Sequence, residues 1–262
     1  MRHCLLVAGL FLIGGPVLGQ TPQQQPPAST PTLDPQNNRL DAMLLEWEAR
    51  MKGIESLKAK IVLQTEDKAF RTRDTFEGIA KYKKPNLAIL DLSMKDRPDK
   101  IEKLICTGTY VYRYAPESRE IRVYDLTPKA GQVSEDNFLS FLFEIKAAEA
   151  KRRYEVSFFN ETEKNYYILK ILPRYAADKA EFQVAYLALS RTTLLPRTLI
   201  MDDPKGNRTQ WDIPIIESGA NLDRREFTAP ALPSGWTFRR MPKDAQSARP
   251  EDLPPRVARP KP

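Results

Sequence analysis

Imidazole and thiol chemistry is almost absent from this sequence. Its one histidine, His3, and one of its two cysteines, Cys4, stand within the opening MRHCLLVAGLFLIGGPVLGQ, which leaves Cys106 as the thiol of the remaining chain. Once that opening is removed, no Ser-His-Asp or Cys-His mechanism is available, and no imidazole can hold zinc, copper or non-haem iron. A lone thiol cannot close an internal disulfide, so Cys106, in KLICTGTY, reads as an inert core residue. Carboxylates are plentiful, but none is marked as a catalytic or calcium-binding pair. Asp202 and Asp203 precede Pro204 and Gly206 and read as a turn. No Gly-rich phosphate loop, paired-cysteine metal spacing, nucleophile elbow or EF-hand loop is present. The residues predict a protein that is not an enzyme and that uses no cofactor or metal.

What remains is apolar surface on strands. In TYVYRYAP, Tyr110, Tyr112 and Tyr114 share one face while Val111 and Arg113 share the other. Arg113 marks the solvent side in this reading, and the tyrosines point inward. Buried phenols need partners for their hydroxyls, so the tyrosines fit either a cavity wall or a core.

The elements that must position these residues follow from composition and periodicity. Residues 1–19 read as a signal peptide: Arg2 gives the positive region, Leu5 to Ile13 the apolar run, and Val17-Leu18-Gly19 the cleavage site. Residues 20–36 form a Pro/Gln-rich linker and residues 241–262 a Pro-rich tail, both too poor in large apolar side chains to fold. Residues 37–240 make one domain. The mature chain is expected in the periplasm, soluble and monomeric, with no membrane-spanning segment. A net charge of +7 spread among interleaved acids gives no nucleic-acid stripe.

Leu40, Met43, Leu44, Trp47 and Met51 recur at helical spacing up to Gly53. Short β-type segments follow to Leu126, at the spacing of an antiparallel meander. SEDNFLSFLFEIKAAEAKRRY then predicts a helix capped by Ser134 and apolar on more than one face. Strands resume to the end of the domain. The layout is α+β: about 10–11 antiparallel strands with two main helices against one large sheet.

This order of elements, together with SLKAKIVLQ, FEGIAKYKKPN, LICTGTYVYRYAPESREIRVYDL and the closing FTAPALPSGW, resembles the periplasmic lipoprotein carrier (LolA) family. The Pro-rich flanks and Tyr-rich hairpin are also similar to a planctomycete offshoot of that fold. The resemblance implies an incomplete, strongly bent antiparallel β-barrel with an N-terminal helix and a hydrophobic lid helix over an apolar cavity. It implies a carrier for lipoprotein acyl chains or another lipid, served by a membrane-bound donor or acceptor protein. The alternative it allows is a lipid-sensing or protein-binding regulatory module on the same fold. Phe138, Leu139, Phe141 and Leu142 would then face the cavity from the lid, and Tyr82, Leu90, Tyr112, Tyr114, Tyr167 and Leu169 would line it. Lys84 stands where the family places a lid-contacting arginine, Ala88 where it places an aromatic, and Thr107 where it places an aspartate.

Overall fold

In the computed structural model, residues 32–126, 146–160 and 162–241 are described. Helix α1 spans Arg39–Lys52 because its ends are satisfied and its apolar stripe has a partner. The Asn38 side chain accepts from the amides of Leu40 and Asp41, and Gly53 closes the other end. The stripe Met43, Leu44, Trp47 and Met51 is buried.

The strands are β1 (Ser56–Asp67), β2 (Thr72–Lys83), β3 (Leu87–Met94), β4 (Ile101–Thr107), β5 (Tyr110–Ala115), β6 (Glu120–Asp125), β7 (Tyr154–Asn160), β8 (Tyr166–Pro173), β9 (Val184–Ser190), β10 (Pro196–Asp202), β11 (Arg208–Ser218) and β12 (Thr237–Arg240). Two short helices, α2 (Ala147–Arg153) and α3 (Ala176–Glu181), lie between β6 and β7 and between β8 and β9. The strands form one twelve-stranded sheet in the order β12-β6-β5-β4-β3-β2-β1-β11-β10-β9-β8-β7. Each pairing is antiparallel except β12 with β6. The result is an open, curved sheet, the incomplete bent barrel expected from the sequence.

Eleven of the strands match segments read in the sequence, and β12 is the addition. It is four residues long and exposed throughout, so it carries no alternation to betray it. Of the expected apolar helix over residues 134 to 153, α2 is its basic end; Phe138, Leu139, Phe141 and Leu142 lie outside the described residues.

Register fixes two faces. Leu57, Ala59, Ile61 and Leu63 of β1 stand opposite Tyr82, Ala80, Gly78 and Phe76 of β2, and these continue onto Ala88, Leu90, Leu92 and Met94 of β3. That face carries α1, whose stripe packs with Leu57, Leu169, Leu187 and Leu199 in the main core. The opposite face holds a small cluster of Leu87, Ala220, Leu222 and Phe227.

Gly78 sits on the helix-bearing face where β2 and β3 approach most closely. A Cβ there would run into the carbonyl oxygen of Asp91 and the Cα of Leu92, both backbone atoms with no room to yield. Gly78→Ala is expected to cost about 1–3 kcal/mol by overpacking the ladder, read as a lower urea midpoint. An unchanged midpoint would show that β3 is not held against β2 at this point.

Candidate functional site

Two carboxylates of α1, seven residues apart and so on one side of the helix, hold α2 in place. Asp41, 1% exposed, accepts from Lys151 Nζ at 2.7 Å and from the Asp34 amide at 2.9 Å. Glu48 Oε2 accepts the Ala147 amide, the first of α2, at 2.8 Å, and Oε1 accepts Lys52 Nζ at 2.6 Å. A carboxylate on a helix N-terminus is favoured by the orphan amides there. Arg153 extends the chain of contacts, gripping Asp178 of α3 with Nε and Nη2 at 2.5 to 3.0 Å. The helices are therefore tied to one another by buried ion pairs as well as by the apolar core.

The helix-bearing face is apolar over most of its width. Beside the main core it holds a second cluster, Ala59, Ile61, Leu63, Phe76, Leu92, Met94 and Ile213, made by β1, β2, β3 and β11 without a residue of α1, α2 or α3. Ala80, Leu90, Trp211 and Ile216 pack against it while remaining partly open. At β5 the face turns polar, with Arg113 opposite Leu104.

The residues expected to line a cavity do not gather in one place. Tyr82 and Tyr167 pack half-buried against the main core, Leu169 is wholly inside it, and Leu90 borders the second cluster. All four lie on the helix-bearing face. Tyr112 and Tyr114 do not. They pair with Val123 and Ile121 on the opposite face and contact Phe238 and Trp236 edge-on, at 6.2 and 5.7 Å between ring centroids. The alternation in TYVYRYAP is as read, but Arg113 shares the face of α1 and the tyrosines share the other. Lys84 touches a helix, and that helix is α1: its Nζ donates to the Lys52 carbonyl at 2.6 Å, a cation on the last turn.

The three groups singled out in the sequence, Cys106, Asp202 and Asp203, each have hydrogen-bond partners. Cys106 is buried and its Sγ donates to the Asn86 carbonyl at 2.8 Å; burial pushes the thiol pKa up, away from a reactive thiolate. Asp202 meets Arg208 through both oxygens at 2.7 and 2.8 Å. Asp203 accepts the Lys205 and Asn207 amides of the β10–β11 turn. A polar pocket of about 370 Å³ opens there, lined by Glu66, Asp67, Asp74 and Arg208 among others. No group of three or more His, Cys, Asp or Glu able to hold a metal occurs among the described residues. No described helix is long and apolar enough to cross a membrane.

No protein-family model matches the chain, and no curated protein matches it. Among solved structures it is similar to a LolA superfamily protein from Nitrosomonas europaea, at 13% identity over 72% of this chain and 97% of that one, with a TM-score of 0.36. It is also similar to an uncharacterized conserved protein from Thermus thermophilus (10% identity, 76% and 98% covered, TM-score 0.47). A chain of the Pseudomonas aeruginosa MucA/MucB complex is a further match (14% identity, 72% and 60% covered, TM-score 0.42). Likeness at these identities and scores carries nothing about function or site.

Asp41 and Glu48 had no signal in the sequence beyond ordinary helix polarity, because their partners lie about a hundred residues away. Burial pushes the Glu48 carboxyl up, but Lys52, the Ala147 amide and the charge of Lys146 outweigh it and hold the group below its ordinary 4.5. A depressed carboxyl stabilises the fold above its unfolded value and loses that contribution as the pH falls through the folded one. Between about pH 6 and pH 3, wild-type protein should therefore lose more stability than Glu48→Gln, measured by urea unfolding at each pH. Equal losses would mean that Glu48 does not hold α2.

Proposed function

We propose that this chain is a non-enzymatic carrier whose helix-bearing face takes the acyl chains of a lipoprotein or another lipid. It works in the periplasm after loss of residues 1–19 and exchanges its cargo with a membrane-bound donor or acceptor. The observation that supports this most is the second apolar cluster across β1, β2, β3 and β11, built by strand side chains with no described helix in it. The cluster is buried, but its margin of Ala80, Leu90, Trp211 and Ile216 stays partly open and suits a flexible apolar chain, which gains about 0.8 kcal/mol per buried CH₂ and needs no directional partner. Leu90 and Tyr82 sit at its border, and Lys84, on the α1 carboxyl end, would link the sheet to helix position during loading.

A regulatory module that binds a protein partner is the second reading, and edge strand β7 favours it. A register shift between Phe158 and Asn160 leaves Phe159 58% exposed at the sheet's edge.

Native mass spectrometry of protein taken from the periplasm without detergent separates the two. A stoichiometric acyl ligand is the expected result. Protein that is empty, and that takes up no added fatty acid, contradicts the carrier and favours the partner-binding module.

A further inference from the structure

Resting on the carrier reading, the geometry points to the kind of headgroup its cargo bears: we infer that Arg113, Arg122 and Arg239 form a site for an oxyanion carried next to an acyl chain.

Register places the three arginines in one row across the helix-bearing face. Leu90 stands opposite Leu104, Leu104 opposite Arg113, Arg113 opposite Arg122, and Arg122 opposite Arg239. Two residues away along the strands, about 7 Å, a parallel row runs through Ala88, Cys106, Val111 and Tyr124. Two residues the other way lie Glu102 on β4 and Glu120 on β6. Followed the other way, the arginine row becomes apolar: Leu104, Leu90 and Ala80 lead from Arg113 to the second cluster, whose Leu92 stands opposite Glu102, while the row of Ala88 leads through Tyr82 to the main core.

Like charges directly opposite one another on neighbouring strands oppose folding unless something neutralises them. Carboxylates do so here only loosely. Arg122 Nη2 reaches Glu117 at 3.3 Å, Arg239 Nη1 reaches Glu120 at 3.5 Å, and Arg113 Nη2 reaches Glu102 at 3.9 Å. Elsewhere in the same protein arginines are held in two-pronged grips, as Arg153 is on Asp178 and Arg208 on Asp202. Glu120 also accepts Ser118 Oγ at 3.1 Å, and burial pushes the Glu102 carboxyl up against the pull of Arg113.

The central guanidinium is the most enclosed of the three, its side chain 12% exposed, and its Nε is buried with no hydrogen-bond partner among the described residues. A guanidinium offers five donors in a planar fork that matches phosphate and carboxylate oxygens. Three forks in a row, each with donors to spare, suit one multi-oxygen anion better than three single carboxylates do. With acyl chains on the second cluster, beyond Leu104 and Leu90, the anion would be a phosphodiester or similar headgroup. Free phosphate offers the same oxygens.

The test uses dioctanoyl phosphatidylglycerol, dioctanoylglycerol, which has the acyl chains and no phosphate, and inorganic phosphate, titrated calorimetrically into the wild-type chain and into Arg122→Gln and Arg239→Gln. Arg239 is half exposed, so its variant keeps the test open should Arg122→Gln fail to fold. The expected result is a preference for phosphatidylglycerol over dioctanoylglycerol of about tenfold, the worth of one charge-assisted hydrogen bond, with the preference lost and dioctanoylglycerol binding kept in Arg239→Gln. Phosphate bound as tightly as phosphatidylglycerol, and lost in the variants, assigns the row to a free oxyanion. Equal affinity for the two lipids overturns the site and leaves the carrier standing. Phosphate binding that depends on the arginines, without binding of either lipid, overturns the carrier and keeps the site. If none of the three probes binds, both fall.

Discussion

A sheet of twelve strands must hide one apolar face, and the longest helix among the described residues is too small to do it alone. Helix α1 has 14 residues, so it is about 21 Å long and about 10 Å across. Twelve strands at their ordinary spacing run roughly 50 Å from edge to edge. The sheet answers by curving around α1, which lets side chains of β1, β2, β7, β8, β9, β10 and β11 meet in one core. Beyond α1 a second cluster of strand side chains is buried with no described helix in it, and Leu92 is fully enclosed there. Gly78 belongs to the same solution, since it gives β2 and β3 the close approach that a side chain would prevent.

The helices depend on that curvature in turn. Asp41 and Glu48 point from α1 to α2, and Arg153 passes the grip on to Asp178 of α3. Removing one member of a buried ion pair strands the other charge away from water, so these contacts fix where α2 must sit more firmly than short helices could by propensity alone. Lys84 adds a contact from the β2–β3 corner to the last turn of α1. Sheet and helix are thus linked at this corner.

Much of this was legible in the sequence because strand alternation and helix spacing are local signals. Eleven strand segments and α1 could be read directly, and β12 could not, because four exposed residues pairing in parallel with β6 leave no pattern. Alternation also reveals which residues share a face without revealing which face is covered. Tyr112 and Tyr114 were therefore grouped correctly with each other and placed with Tyr82 and Leu90, whereas the register of β4 against β5 puts Arg113 on that side. The pair Asp41–Lys151 spans 110 residues, a separation at which periodicity has nothing to say. The arginine row is hidden for the same reason: Arg113, Arg122 and Arg239 become neighbours only once three strands are in register.

Both the proposed carrier role and the proposed headgroup site depend on which face of the sheet meets an apolar ligand. A fatty acid carrying a photoreactive diazirine, irradiated with the purified protein and mapped to single residues by mass spectrometry, reads this directly. Adducts at Phe76, Leu90 or Leu92, competed away by unlabelled fatty acid, are the predicted result. Competed adducts at Tyr112, Tyr114 or Phe238 would place the ligand on the opposite face and contradict the account.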